Sequence, residues 1–441
     1  MTSDEMDRLL ALLRIPSISA DPAHAGDIEA AASLVADELA RAGATPEIRP
    51  TGGPPLVLGE VPASDGRPHA PRVLIYGHYD VQPPGDAALW PSPPFEPTVR
   101  DGNLHARGAS DDKGNLFMLL VAVQRLHAEG RLPVRVGFVI DGEEESSGHT
   151  AVAHLGGPEA AGAAACLIFD APMIAPGRPA VCTGARGVVA RRLTVRTSDG
   201  DGHSGMYGGA ALSAAHTLMR ILAAVVPVEG RLPDALYAGV APAGEAEVAA
   251  WASLPRGSDL LAEAGLAPAD PAAAEGFHLR TAGGPSVDVH GIRCGDPSAF
   301  STIIPGRAEA TLSLRLAPGQ DGPAVAASFD ALLRRAAPAG AEVTIEDCGM
   351  GLPAQFDAEH PVLRAAMRGI ERATGWPCTP ARMGGTIPVL AALSDAGIPT
   401  VLTGFGLPTD RIHSPDEHIR VEYLGVGVRA ATAILEEIGT L

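Results

Sequence analysis

Three short apolar runs in the first half of the chain each end on residues that carry chemistry. Residues 72–77 lead into His78 and Asp80, residues 134–140 into the acidic stretch from Asp141 to Glu145, and residues 165–169 into Asp170. Short apolar runs of this kind read as buried strands. A longer apolar-rich segment of helical length, 114–129, separates the first two and ends at Gly130. Strand and helix in alternation specify an α/β domain: a central, mostly parallel sheet flanked by helices. Such sheets gather ligands outside the carboxyl ends of their strands. Polar residues far apart in sequence are therefore expected at one crevice.

Further helices are expected at 4–15, stopped by Pro16, and at 28–42, 361–374 and 421–438, with a tight turn at Asp101-Gly102. After Gly187 the pattern changes to strands at 188–195, 309–316 and 342–345 and helices at 211–225 and 322–336, a smaller α+β insert. The Pro/Ala/Gly-rich stretch 227–275 is expected to be irregular. Two domains follow: 1–186 with 351–441, and 187–350.

The hydrophobic content of 46% supplies a sizeable core. With 33 basic and 52 acidic residues, the formal charge is −19 and no long basic run occurs. That balance repels phosphate backbones, so no nucleic-acid partner is expected. Cys166, Cys182, Cys294, Cys348 and Cys378 are odd in number and widely spaced, which fits free thiols in a reducing compartment. No apolar run reaches the ~18 residues of a membrane span. No secretory signal pattern opens the chain, and a cytoplasmic location with no membrane partner is expected.

Taken singly, the polar residues at the strand ends have plain readings. His78-Tyr79-Asp80 reads as a polar loop, and an aspartate of Asp111-Asp112 as a helix N-cap. Glu143-Glu144-Glu145 reads as a solvated acidic loop, Asp170 as a turn residue and His413 as a surface histidine. Together, after successive strands, they suit a pair of divalent cations held by mixed histidine and carboxylate ligands. A carboxylate can bridge two such ions, which polarise a carbonyl and acidify a water, while a free carboxylate moves the proton. Asp80 could orient His78 through its second ring nitrogen.

The motifs Gly77-His78-Tyr79-Asp80-Val81-Gln82-Pro83, Arg107 to Gly114, Gly142-Glu143-Glu144-Glu145-Ser146, His203 to Gly209 and Ile412 to Glu417 occur in order across nearly the whole chain. They resemble the cocatalytic-zinc metallopeptidase family of carnosine dipeptidase, acetylornithine deacetylase, succinyl-diaminopimelate desuccinylase and glutamate carboxypeptidase, and the dipeptidase branch most. The resemblance implies two zinc ions per subunit, with manganese or cobalt also compatible. Asp111 would bridge them, His78 and Asp170 would complete one site, and Glu145 and His413 the other. Glu144 would be the general base, although a slip of one residue would assign Glu143 and Glu144 instead. His203 would stabilise the oxyanion in a partner's site, making the insert a lid and homodimerisation domain. Arg315 would hold the substrate carboxylate, with Thr302, Thr386 and His360 near the substrate.

The implied activity is metal-dependent hydrolysis of the amide bond of dipeptides or short peptides. Two departures bear on it. Met383 stands where the dipeptidases carry an acid, which keeps an N-acyl amino acid substrate, and hence a deacylase, open. His105-Ala106 replaces the usual Tyr-Gly, with little effect expected. A third reading, an inactive metal-binding scaffold, would require a missing ligand or base, and every such position is filled.

Overall fold

A computed structural model of the chain describes residues 1–64, 67, 69–146, 148–252, 254–296, 298, 300–385 and 387–441. The chain forms two compact units. The first comprises Met1–Thr183, Phe356–Ala381 and Pro388–Leu441; the second comprises Gly184–Gln355 and Arg382–Ile387.

The first unit is built on a six-stranded sheet in the spatial order Glu47–Arg49, Leu56–Val61, Arg135–Asp141, Arg72–His78, Ala165–Phe169, Thr400–Thr403. The last four strands are mutually parallel, and the first two add antiparallel to one side. Parallel strands covered on both faces need continuous apolar sequence. Val73, Leu74, Ile75 and Tyr76 are accordingly buried, as is every residue from Ala165 to Phe169. The shared direction brings the carboxyl ends of these strands to one edge, where His78 stands in register with Asp141.

The helix Lys113–Ala128 shows why that edge is rigid. Every residue from Lys113 to Val123 is buried, so the helix is enclosed rather than amphipathic. Full burial of a leucine or phenylalanine contributes roughly 1.5–3 kcal/mol, and Leu116, Phe117, Leu119 and Leu120 are all fully enclosed. The helix packs on strand Arg72–His78 and on the C-terminal helix Val421–Ile438. Its head is fixed by close approach. A Cβ at Gly114 would lie 2.0 Å from the Ala109 carbonyl oxygen, and one at Gly77 would lie 2.8 Å from Asp112 Oδ2.

A second, small sheet joins Thr98–Arg100, Asn103–His105 and His418–Arg420. The first two form a hairpin across Asp101 (φ 49°) and Gly102 (φ 79°), the left-handed pair that a two-residue turn requires.

The second unit holds a four-stranded antiparallel sheet in the order Ser286–Arg293, Arg307–Leu316, Gly187–Arg196, Glu342–Gly351. Buried residues alternate along Gly187–Arg196, as expected of a sheet with one face on a core. That core contains Leu193, Leu312 and Phe329, and helices Ala214–Ala223 and Gly322–Ala336 pack on the sheet. The stretch 227–275 is less irregular than expected: it contains the helices Glu245–Trp251 and Gly257–Glu263, whose alanine and leucine content favours them. Among the described residues, no helix is long and apolar enough to cross a membrane.

Candidate metal centre

His78 closes the strand Arg72–His78 and is fully buried. Asp170 follows the strand Ala165–Phe169, and Glu144 and Glu145 lie on the turn after Arg135–Asp141. Asp111 lies in the loop before helix Lys113–Ala128, and His413 in the loop that precedes His418–Arg420. These separate segments meet within the first unit.

Asp111 is the common member. Its Oδ1 lies 3.2 Å from His78 Nε2 and its Oδ2 lies 2.9 Å from His413 Nε2. Glu145 Oε2 is 3.2 Å from the same His413 nitrogen. Two sets of candidate ligands result, His78–Asp111–Asp170 and Asp111–Glu145–His413, with the donor atoms of each within 4.8 Å of one another. Each offers one imidazole and two carboxylates, a donor set that suits zinc and leaves positions for water or substrate.

The electrostatics also suit a site for cations. Burial pushes the Glu144 and Asp170 carboxyls well above the ordinary range, and neighbouring carboxylates add to the effect. Burial opposes charge on His78, but hydrogen bonds to Asp111 and Asp80 hold its ring protonated well above the usual histidine value. His413 is pushed up to about 10 by Asp111 first and Glu145 second. For Asp111 the two histidines overcome burial and hold the carboxyl low. Without cations, protons on the histidines neutralise part of the cluster. Divalent ions would do so more fully.

Two residues hold the candidate ligands in place. Asp80 is buried, with Oδ1 3.3 Å from His78 Nδ1; its backbone carbonyl lies 3.1 Å from the same nitrogen. The Glu144 and Glu145 amides donate to Asp80 Oδ1 and Oδ2 at 3.2 and 3.1 Å. One carboxylate thus orients the histidine and shapes the glutamate turn. Gln82 Nε2 donates to Glu145 Oε2 at 3.0 Å and to the Glu145 carbonyl at 3.1 Å. Glu143 faces elsewhere, accepting from the Thr150 amide at 2.9 Å at the start of helix His149–Leu155.

Asp112 occupies the N-cap position of its helix without making the cap hydrogen bond. Its Oδ2 accepts from the His78 amide at 3.2 Å instead. His360 caps the helix Pro361–Thr374, its Nδ1 accepting from the Val362 amide. His105 Nδ1 lies 2.9 Å from Asp416 Oδ1. His105, Asp416 and His418 form a third cluster with metal-ligand residue types. There Arg100 Nη2 stands 2.7 Å from Asp416 Oδ1, so the cation is already a guanidinium.

His203, Thr302 and Arg315 belong to the second unit. His203 pairs with Ile303 in a short antiparallel ribbon, and the Ser204 amide and hydroxyl both donate to the Thr302 carbonyl. Arg315 lies on Arg307–Leu316, opposite Val188 and Ser286. Met383 ends the strand Thr379–Met383, and its carbonyl accepts from the Arg186 amide. Thr386 lies outside the described residues.

Comparison with known proteins agrees with this geometry. The model of the peptidase family M20/M25/M40 matches residues 74–437. A cysteinylglycine-S-conjugate dipeptidase of Corynebacterium striatum is 31% identical over 420 residues, covering 90% of this chain and 87% of that one. The crystal structure of human carnosine dipeptidase 1 is similar with a TM-score of 0.79 at 26% identity, covering 99% of this chain and 96% of that one. An M20 family metallo-carboxypeptidase from Sulfolobus solfataricus shares the fold, with a TM-score of 0.87 at 24% identity and 100% of both chains covered.

Proposed function

The chain belongs to the peptidase family M20/M25/M40, and on that footing we propose that it cleaves the amide bond of dipeptides or short peptides. It is a metal-dependent hydrolase of that family with a binuclear candidate site. The observation that carries the reading is the division of Asp111, one carboxylate oxygen facing each histidine. Asp111 with His78 and Asp170 would hold one ion, and Asp111 with Glu145 and His413 the other. Two divalent ions bound there, zinc foremost, would polarise the scissile carbonyl and lower the pKa of a water.

Glu144 takes the proton of the attacking water and passes it to the leaving amine. Its position supports the role: it stands beside Glu145 on the turn after Arg135–Asp141, and burial raises its carboxyl above the ordinary range. The assignment displaced by one residue would require Glu143 to leave the Thr150 amide. Asp80 keeps His78 and the glutamate turn in register. Arg315 and Thr302 bind the substrate, and Thr386 is assigned to it by motif alone. The second unit serves as lid and homodimerisation domain, and its His203 stabilises the oxyanion in the partner's site.

Met383 favours a second reading, an N-acyl amino acid deacylase, because a free ammonium on the substrate has one fewer acidic partner. One experiment separates the two: metal content per subunit, with hydrolysis of free dipeptides and of N-acetyl amino acids. Two ions per subunit with chelator-sensitive cleavage of free dipeptides is expected. Cleavage of acylated substrates alone would move the assignment to deacylase. Two bound ions with no turnover on either class would leave an inactive scaffold.

A further inference from the structure

The loop that delivers His413 is strained. Arg411, His413 and Asp416 have φ of 59°, 57° and 66°, the left-handed region that residues other than glycine adopt at a cost. Such backbone persists only where the surroundings over-determine it. His413 itself is about half exposed, with 53% of its side chain accessible, so burial of the ring does not hold it. The restraint comes from buried groups at the two ends of the loop.

Glu417 is fully buried and makes four hydrogen bonds to one short segment. The Ser110 and Asp111 amides donate to its Oε1 at 2.9 and 3.0 Å. The Gly108 amide and Arg107 Nη1 donate to its Oε2 at 3.0 and 2.7 Å. Arg107 Nη2 also donates to the Ser414 carbonyl, beside His413. At the other end, Asp410 Oδ2 accepts from the Ser110 hydroxyl at 3.2 Å and the Leu407 amide at 2.8 Å. The loop carrying His413 is thereby sewn to the loop carrying Asp111.

We propose that Glu417 is a positioning residue of the metal centre, clasping the Asp111 loop to the His413 loop so that both ligands are preset. The proposal rests on the assignment of Asp111 and His413 as ligands. It makes an asymmetric demand on the two sites. His78 and Asp170 are fixed at strand ends and do not depend on the clasp. His413 does, so the Asp111–Glu145–His413 site feels its loss most. Glu417→Gln keeps the shape but sets an amide donor against other donors and leaves the buried Arg107 cation without its counter-charge.

The test is titration of the metal-free full chain with Co2+, followed by calorimetry and visible absorption. Wild type takes up two equivalents. In Glu417→Gln one equivalent binds slightly more weakly, through the shared Asp111, and the other binds about ten- to a hundredfold more weakly with an altered spectrum. Glu417→Asp, which restores the charge, recovers part of the loss. Equal weakening of both equivalents, or wild-type affinities and spectrum in a folded Glu417→Gln protein, overturns the proposal. A wild-type chain that takes fewer than two ions overturns the binuclear reading, and the proposal with it. Should the variants fail to fold, hydrogen exchange on metal-free wild type decides. Protection of residues 108–111 before any metal is added supports the clasp, and protection gained only with metal refutes it.

Discussion

Glu144 and Glu145 are neighbours in sequence but not in surroundings, and each can be tested alone. Glu145 faces His413 and Gln82, whereas Glu144 sits in a buried cluster that raises its carboxyl. Glu144→Gln should keep both metals and the fold yet lose about two to four orders of magnitude in turnover. Near-normal kcat, measured beside metal content, would remove Glu144 from the mechanism. Asp141 gives a pH signature. Burial first, and the Asp80 charge second, move its carboxyl from 3.8 to about 7. A carboxyl raised on folding favours the folded state only while protonated. That stability is complete below about pH 4 and is lost as the pH rises through about 7. The metal-free protein should therefore melt at lower temperature at pH 8 than at pH 5. Asp141→Asn, which cannot ionise, should flatten part of that slope; equal slopes in the two proteins would show that Asp141 does not titrate there.

At the scale of elements, the helix Lys113–Ala128 has two separable jobs. Its middle is core and its head is part of the site. Leu120→Ala removes a fully enclosed side chain and should cost about 2–5 kcal/mol in denaturant unfolding, with metal stoichiometry unchanged. Gly114→Ala should do the reverse. The added Cβ would press on the Ala109 carbonyl oxygen at 2.0 Å, so the loop bearing Asp111 must move. An ångström of displacement at a reacting centre can cost about a hundredfold in rate. The expected result is a large loss of kcat with a modest loss of stability. The opposite ranking would show that the helix head can yield without disturbing Asp111. Elements of this kind were readable in the sequence because a continuous apolar run has few other solutions. The strand Thr400–Thr403 was not, since two apolar residues between threonines show neither a run nor an alternation.

Across the whole molecule, what could be read depended on how directly a residue touches the chemistry. His78, Asp111, Glu145, Asp170 and His413 stand out as candidate ligands by type and by their place near strand ends or in the motifs. Glu417 did not, although it lies in the same motif as His413, because its partners are a bend more than 300 residues away, the Gly108 amide being 309 positions off. Second-unit residues pose the reverse difficulty: His203 stands out by motif, and the role proposed for it needs a second copy of the chain. Its ring is exposed, with Nδ1 accepting from the Gly205 amide at 3.1 Å, so the proposed role would fall to the second ring nitrogen. If that histidine completes the partner's site, neither His203→Ala nor Glu144→Gln homodimers are active. A hybrid dimer has one site with both groups intact: Glu144 from the first variant and His203 from the second. Random exchange of equal amounts makes half the dimers hybrid, so about a quarter of wild-type activity should return on mixing. Native mass spectrometry would report the hybrids directly. Hybrids present without recovered activity would confine His203 to its own chain, or to no catalytic part at all.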